Sequence, residues 1–455
     1  MSNPSSIQDI GQRSPRFDAP DKTRGKELFA SDLSPENLLW AGVRRAGIAH
    51  GQLRSTLTDR APKAHALNTG NILKAATIIK GDPSAISTCD ILLEERFSTP
   101  VQEHAYIETE NGVARLDGAT VQCLLALAAL NTKGRTVKMW WDREESMVAG
   151  YKRHAARMHY CLGAKKDGEL VALKCEIDYD TGAYAHLGVE IMALGLEHAA
   201  GPYRIPNMEA KGRCIYTNNP IAGAFRGFGV AQVSFAFEGM MDRLALKLNM
   251  DPLALRRKNA LIRGDKNCSD ITMTHSTGMV ECLSRLSDHD LWTERKKWIE
   301  QAPQFKRRGV GISAVFNGMG YGHGLPDSAV AKVRLTQSGT IRVYNGVSDM
   351  GQGNGATFVH MAGEILCQGQ ETMELVQPDT DRTHPSGSSS AGRTTYTCGN
   401  ALIKACTALR DKRYNRAALM LLTDAAQGFA MVTGARWRAI WCCAWQPCSI
   451  PSGST

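Results

Sequence analysis

The sequence predicts an α+β protein made of several mixed subdomains, and two hairpins and two helices carry that prediction. Strand-like residues flank the turn signal Asp167-Gly168 within residues 158–178, and flank Ser338-Gly339 within residues 330–347. The Ala- and Leu-rich run 121–130 predicts a helix. Over residues 230–248 apolar side chains recur at steps of three and four, which is typical of an amphipathic helix. A chain of 455 residues has room for about two to four such subdomains.

Further elements follow from local patterns along the chain. Asp251-Pro252 combines an N-cap residue with a first-turn proline and predicts the start of a helix. Helices are also expected over 356–367 and from about Cys398 onward. Strands are predicted at 38–43, 74–80, 89–96, 136–141 and 309–316, the last of which enters the glycine-rich run 318–324.

Composition and charge are those of an ordinary soluble protein. Hydrophobic residues make up 43% and charged residues 22% of the chain, and no run of about 18 apolar residues occurs. Residues 1–12 lack the apolar core of a signal peptide, so we expect a cytoplasmic protein without a membrane span. The net charge of +9 is spread along the chain, and short basic runs such as Lys306-Arg307-Arg308 indicate solvated helix faces rather than nucleic-acid binding.

The thirteen cysteines include no CxxC pair. This absence argues against a zinc ribbon, a thioredoxin motif or an iron–sulfur cluster held by this chain. Reduced thiols fit the odd count.

The segment Gly-Ala-Phe-Arg-Gly-Phe-Gly at 223–229 is the first candidate for a site. Arg226 offers a planar fork of donors between the rings of Phe225 and Phe228, and the glycines let the backbone approach a ligand closely. A planar, electron-rich ligand would suit such a pocket floor. A tight turn carrying two core rings is the alternative.

Two later segments and one earlier segment also carry candidate chemistry. Asp349-Met350-Gly351-Gln352-Gly353 lies between a strand and a helix, which is an anion-binding geometry or else a simple strand–helix turn. The serine-rich stretch 385–395 suits a backbone cradle for phosphate or pterin, or else a flexible linker. The segment 102–108 (Gln-Glu-His-Ala-Tyr-Ile-Glu) is either a polar wall of a site or an exposed strand edge.

Phe-Arg-Gly-Phe-Gly followed by Met-Gly-Gln-Gly and Ser388–Arg393 resembles the molybdenum-binding subunit of the xanthine dehydrogenase and aldehyde oxidase family, the molybdenum hydroxylases. The matching segments follow one another in the same order as in the family, from about residue 8 to about residue 412. It implies molybdopterin with molybdenum, either as such or as the cytosine dinucleotide. It also implies oxidation of a C–H bond of an N-heterocycle or aldehyde with oxygen from water. The [2Fe-2S] clusters and FAD would then lie on partner subunits.

The resemblance also implies roles for single residues. Arg226 and Ala391 would lie beside the molybdenum, and Phe228 would stack on the substrate ring. The pterin would be held by Gly351, Gln352, Gly353, Ser388, Ser389, Ser390 and Arg393. No arginine occurs between Met192 and His198, which weakens xanthine as the substrate.

The family's layout predicts four regions. These are a truncated hammerhead-like domain over 1–75, a first molybdopterin-binding domain over 76–300 with an internal deletion near 115–118, a truncated second one over 301–412, and an atypical tail over 413–455. The tail is rich in Trp and Cys, which favours translation past a frameshift over a binding tail. The family's catalytic glutamate would lie beyond Thr455. The sequence therefore predicts either a hydroxylase subunit or a non-catalytic remnant with an assembly or binding role.

Overall fold

The computed structural model describes residues 38–41, 71–105, 111–114, 123–132, 135–320, 327–379, 381–420 and 442–443, together with Thr23, Arg24, Lys26 and Asp32. The predicted hammerhead-like domain and the predicted tail lie almost wholly outside these residues. Two compact units make up the chain. The first unit contains Met1–Val43, Asn111–Trp140 and Gly318–Thr455, and the second contains Arg44–Glu110 and Trp141–Asn317.

Strands and helices alternate irregularly along the chain. The strands are β1 (Leu39–Trp40), β2 (Ile72–Lys80), β3 (Ile91–Thr99), β4 (Gln102–Glu103), β5 (Asn111–Ala114), β6 (Val137–Trp140), β7 (Lys152–Arg153), β8 (Ala156–Ala164), β9 (Leu170–Gly182), β10 (Asn207–Tyr216), β11 (Val330–Leu335), β12 (Ile341–Asn345), β13 (Met373–Val376) and β14 (Cys442–Cys443).

The helices are α1 (Cys123–Leu130), α2 (Arg143–Ala149), α3 (Gly188–Glu197), α4 (Val230–Lys247), α5 (Pro252–Asn259), α6 (Met279–Ser287), α7 (Asp290–Thr293), α8 (Arg295–Glu300), α9 (Asn354–Leu366) and α10 (Gly399–Met420). A π-helical turn, Thr394–Cys398, leads directly into α10. No helix in the described part of the chain is long and apolar enough to cross a membrane.

The second unit is built on a five-stranded sheet with the order β2-β10-β9-β8-β3. Alternate residues of β8, including Met158, Tyr160 and Leu162, are buried on one face, as expected for strands whose second face is polar. The apolar stripe of α4, with Val233, Phe237 and others, joins the same core. This packing holds the N-terminus of α4, and with it the turn 223–229, against a fixed sheet.

The first unit has its own core, formed where α9 and α10 join a sheet of order β13-β12-β11-β14. Val343 of β12, Phe358 of α9 and Leu402 of α10 are fully buried there. A smaller sheet of order β1-β6-β5 belongs to the same unit. The sheet and helices of this core fix the two chain segments that precede α9 and α10.

The structure confirms most of the predicted elements. Both hairpins form, β8 with β9 and β11 with β12, and the amphipathic pattern becomes α4. Asp251 caps α5 through the N–H groups of Leu253 and Ala254. The architecture is α+β, as predicted.

The strand predicted over 309–316 is wrong, because no strand forms there. Instead of joining a ladder, the amide of Ala314 donates to the Glu238 carboxylate, 2.9 Å away. The buried Glu238 also accepts from Tyr203 Oη and pairs with the fully buried Arg256, at 2.7 Å. A polar anchor inside the core therefore takes the place of strand pairing, and no local pattern of 309–316 could reveal it.

Candidate functional site

Three consecutive residues of the turn 223–229 have left-handed backbone conformations. The φ angles are 98° at Gly227, 45° at Phe228 and 93° at Gly229. A Cβ atom at Gly229 would overlap the carbonyl oxygen of Ile191, so only glycine fits there. Phe228 carries a strain of about 1–2 kcal/mol, since a bulky residue rarely adopts this conformation. Strain of this kind is concentrated at functional sites.

Two cationic or polar side chains support the turn through Phe225. The His104 ring stacks on Phe225 with 4.0 Å between ring centroids, and the Arg153 guanidinium lies 3.9 Å from the Phe225 centroid. Arg153 also donates to the carbonyl of Arg226 at 2.9 Å and to Gln102 Oε1 at 2.6 Å. The backbone of Arg226 is thereby fixed, while its side chain is exposed.

The segment 102–108 therefore supports the turn through Gln102 and His104. It forms the short strand β4, which pairs with β7 and places these residues beside Arg153. Residues 106–108 lie outside the described residues. Arg153 was not predicted from the sequence, because it reaches the turn through the long-range pairing of its neighbour Lys152 with Ala222.

Two titratable groups near this turn have shifted pKa values. Burial alone would raise the pKa of Glu103, but hydrogen bonding to Lys152 and to the Ala105 amide outweighs burial and lowers it. Burial lowers the pKa of His154 to about 4. Glu103 is thus held ionised by its partners, and His154 is neutral at neutral pH.

In the first unit, the turn before α9 bonds to its own side chains. Asp349 Oδ1 accepts from the amides of Gly351, at 2.8 Å, and Gly353, at 3.1 Å. Gln352 Oε1 accepts from the Met350 amide at 2.7 Å. Positive φ angles at Gly351 and Gly353, 109° and 79°, make this geometry possible. The turn therefore does not present these two amides to an anion, because the Asp349 carboxylate of the chain itself already accepts from them.

One hydrogen bond joins the glycine turn to the serine-rich segment. Gln352 Nε2 donates to Ser389 Oγ at 2.9 Å, and Ser388 Oγ donates to Ser390 Oγ at 3.2 Å. Ala391, which follows them, has a left-handed φ of 44°. The serine-rich segment is thus an ordered loop, and the flexible linker is ruled out for its described residues.

Arg393 lies behind the serine loop and is fully buried. Its guanidinium donates to Asp327 Oδ1 at 2.7 Å, to the carbonyl of Ser388 at 2.8 Å and to the carbonyl of Ser328 at 2.7 Å. A side chain bonded in this way into the protein positions the loop. The structure therefore gives no support to a direct contact of Arg393 with a cofactor.

The predicted site residues are thus divided between the two units. Gly351, Gln352, Gly353, Ser388, Ser389, Ser390 and Ala391 lie on two adjoining loops of the first unit, whereas Arg226 and Phe228 lie on the strained turn of the second. Asp349 and Asp327 are site-supporting residues that sequence reasoning did not assign. Asp349 comes just before the glycine turn and Asp327 just before β11, and no sequence pattern at either position marks it as a supporting residue.

Two family models match the chain, both described as a molybdopterin cofactor-binding domain. The first covers residues 115–260 and the second covers residues 285–439. This chain belongs to the molybdenum-binding subunits of the xanthine dehydrogenase and aldehyde oxidase family. The family consists of molybdenum-dependent oxidoreductases.

Sequence relatives agree with this assignment. The chain is 33% identical over 390 residues to a probable xanthine dehydrogenase subunit of Bacillus subtilis, a match that covers 75% of this chain and 52% of the relative. It is 28% identical over 430 residues to a putative xanthine dehydrogenase molybdenum-binding subunit of Escherichia coli, covering 84% and 57%. The chain thus spans about half the length of these relatives.

Solved structures agree as well. The aldehyde oxidoreductase of Desulfovibrio gigas superposes with a TM-score of 0.67 at 28% identity, covering 77% of this chain and 44% of that one. The aldehyde oxidoreductase of Desulfovibrio desulfuricans gives a TM-score of 0.69 at 25% identity, covering 76% and 44%.

Proposed function

We propose that this chain is the molybdopterin-binding subunit of a hydroxylase that oxidises a C–H bond of an N-heterocycle or an aldehyde. The observation that carries the proposal is the hydrogen bond from Gln352 to Ser389. It joins two loops that each showed, separately, the sequence features of a pterin site. Family membership supplies the cofactor class.

The first-unit loops fit a polar heterocycle. Gln352 and Ser388 are exposed, and Ser389 and Ser390 are half-buried, so both amide and hydroxyl groups are accessible. At Gly351 an added Cβ would meet nothing within 4 Å, which leaves open space above the turn. Donors and acceptors beside open space are what a pterin ring requires.

In this proposal Gly351, Gln352, Gly353 and the three serines bind the pterin, and Ala391 lies next to the metal. When bound, the molybdenum cofactor supplies the two-electron oxidation. The cofactor is molybdopterin itself or its cytosine dinucleotide. Arg393 acts through the loop, as a positioning residue, because its guanidinium is bonded to Ser388 and Asp327.

The strained turn of the second unit carries Arg226 and Phe228. Arg153 and His104 fix the backbone of their turn, so an exposed cationic side chain and a half-buried ring are presented in a defined geometry. We assign Arg226 to the surroundings of the metal and Phe228 to the substrate ring. Preorganised charge and a flat apolar face are suited to orienting a planar substrate.

The electron acceptors belong to partner subunits in this proposal. The sequence contains no CxxC pair, so the [2Fe-2S] clusters are expected on one partner and FAD on another. Neither nucleic acid nor a membrane has a role in it.

A binding or assembly role without catalysis is the second candidate function. Two carboxylates near the motifs, Glu103 and Asp349, are already bonded, to Lys152 and to the glycine-turn amides. A general base must be within hydrogen-bond reach of its proton and have a suitable pKa. The lowered pKa of Glu103 makes it a weak base.

Metal analysis of the full chain tests the proposal. The chain would be produced in a host that makes the cofactor, and molybdenum and pterin would be measured per purified chain. We expect both at close to one per chain, and their absence would contradict the hydroxylase and leave only a remnant with an assembly role. Turnover of nicotinate, hypoxanthine and a benzaldehyde by the chain with its partner subunits then separates the two candidates, because the binding role predicts bound molybdenum without turnover.

A further inference from the structure

An exposed aromatic side chain stands at the tip of a strained turn in the second unit. The Lys306 amide donates to the Pro303 carbonyl at 2.9 Å, which closes a four-residue turn. Phe305 in this turn has a φ of 65° and is 93% exposed. Glycine or asparagine is the usual residue at such a position. Phe305 therefore bears backbone strain without gaining burial, and nothing among the described residues of this unit accounts for that cost.

The same stretch concentrates the positive charge of the chain. Residues 295–308 contain six basic side chains against one acidic side chain, a net charge of +5 in a chain whose net charge is +9. Arg295 pairs with Asp251, but within the described part of the chain Lys296, Lys297, Lys306 and Arg307 form no ion pair. All four are exposed.

Arg308 brings the turn and α8 together. Its guanidinium lies 4.8 Å from the centroid of Trp298 and donates to the Trp298 carbonyl at 3.0 Å. Trp298 remains 45% exposed. The result is one basic–aromatic surface, formed by Lys296, Lys297, Trp298, Phe305, Lys306 and Arg307.

We propose that this basic–aromatic surface docks an acidic face of a partner subunit, with Phe305 as the anchor. Aromatic side chains are the usual anchors of protein interfaces, and complementary charge around them steers association. Four cations that form no ion pair within the described part of the chain are complemented best by carboxylates on the surface of the partner. The proposal rests on the proposed function only in naming the iron–sulfur and flavin subunits as the candidate partners.

Protein fits this surface better than a membrane or nucleic acid does. Membrane-surface helices need a long apolar face, and α8 has only six residues. Single-stranded nucleic acid needs successive free aromatic faces, and Arg308 already lies over Trp298. A ring that is 93% exposed within a basic rim, as Phe305 is, is typical of an anchor in a protein interface.

Binding of the immobilised full chain to the separately produced iron–sulfur and flavin subunits tests the proposal. We expect one of them to bind, with affinity falling as salt rises from about 50 to about 300 mM. Phe305→Asn should weaken this binding about tenfold or more without lowering the melting temperature, because asparagine tolerates the left-handed turn. The double variant Lys306→Glu, Arg307→Glu should weaken it similarly and flatten the salt dependence.

Matched controls lie on the sheet of the same unit. Ile79→Thr removes a side chain that is 62% exposed, and Lys74→Glu reverses an exposed charge, so both should bind as the parent does. If the Phe305 and Lys306/Arg307 variants bind as the parent does, the basic–aromatic surface is not the docking surface, and the proposed function is unaffected. If neither subunit binds the chain, the docking proposal is refuted as well. The molybdenum content of the chain then still tests the proposed function separately. Binding only to a single-stranded oligonucleotide or to phosphatidylserine vesicles would also refute the docking proposal.

Discussion

Gly229→Ala tests the close approach on which the strained turn depends. Gly229 has a φ of 93°, and a Cβ atom there would overlap the Ile191 carbonyl oxygen, which is backbone and cannot rotate away. The left-handed conformation costs alanine about 1–2 kcal/mol, and the overlap adds about 1–3 kcal/mol. We therefore expect a loss of about 2–5 kcal/mol in the free energy of unfolding of the second unit.

Gly264→Ala is the matched control in the same unit. Gly264 has nearly the same φ, 96°, but an added Cβ meets nothing within 4 Å. Only the conformational cost of about 1–2 kcal/mol remains. The smaller entropy of the unfolded alanine chain favours both variants equally, so it cancels in the comparison.

Hydrogen exchange measures both variants locally. The slowest amides of α4, which begins right after Gly229, report the opening free energy of the second unit without requiring the whole chain to unfold in one step. Gly229→Ala should lower that free energy by about 1–3 kcal/mol more than Gly264→Ala does. Equal losses in the two variants would refute the close approach to Ile191.

Three further predictions concern a hydrogen bond between loops, a buried ion pair and a buried histidine. Ser389→Ala removes the acceptor of Gln352 Nε2 and should reduce retained molybdenum about 2- to 10-fold by metal analysis, whereas Ser338→Ala in the distant hairpin turn should not. Arg256→Met leaves Glu238 buried without its cation and should cost about 3–5 kcal/mol in urea unfolding, and a loss below about 1 kcal/mol would contradict the buried pair. His154, whose pKa burial lowers to about 4, stays neutral in the folded chain while the unfolded chain protonates it near pH 6.5. The free energy of unfolding should therefore fall by about 3 kcal/mol between about pH 6.5 and 4, and His154→Phe should flatten that dependence.

Local patterns were sufficient for most elements of the fold. The hairpin of β8 and β9 follows from two strand patterns around Asp167-Gly168, and α4 follows from a helical repeat of apolar residues. Such signals act between residues close in sequence, so a single sequence displays them. The segment 309–316 shows the limit, because its backbone bonds to Glu238, which lies 76 residues away.

The family was also evident from the sequence, because glycines and side chains with special chemistry occur in a set order along the chain. How the loops that carry them are held was decided only by the tertiary structure. Asp349 bonds the glycine-turn amides, Arg393 is buried behind the serine loop, and Arg153 reaches the Phe225 turn through the pairing of Lys152 with Ala222. The physical reason is that a hydrogen bond or an ion pair depends on which groups folding brings within about 3 Å of each other. Arg393 illustrates it, since no local sequence pattern shows that its guanidinium is buried and bonded to Ser388 and Asp327.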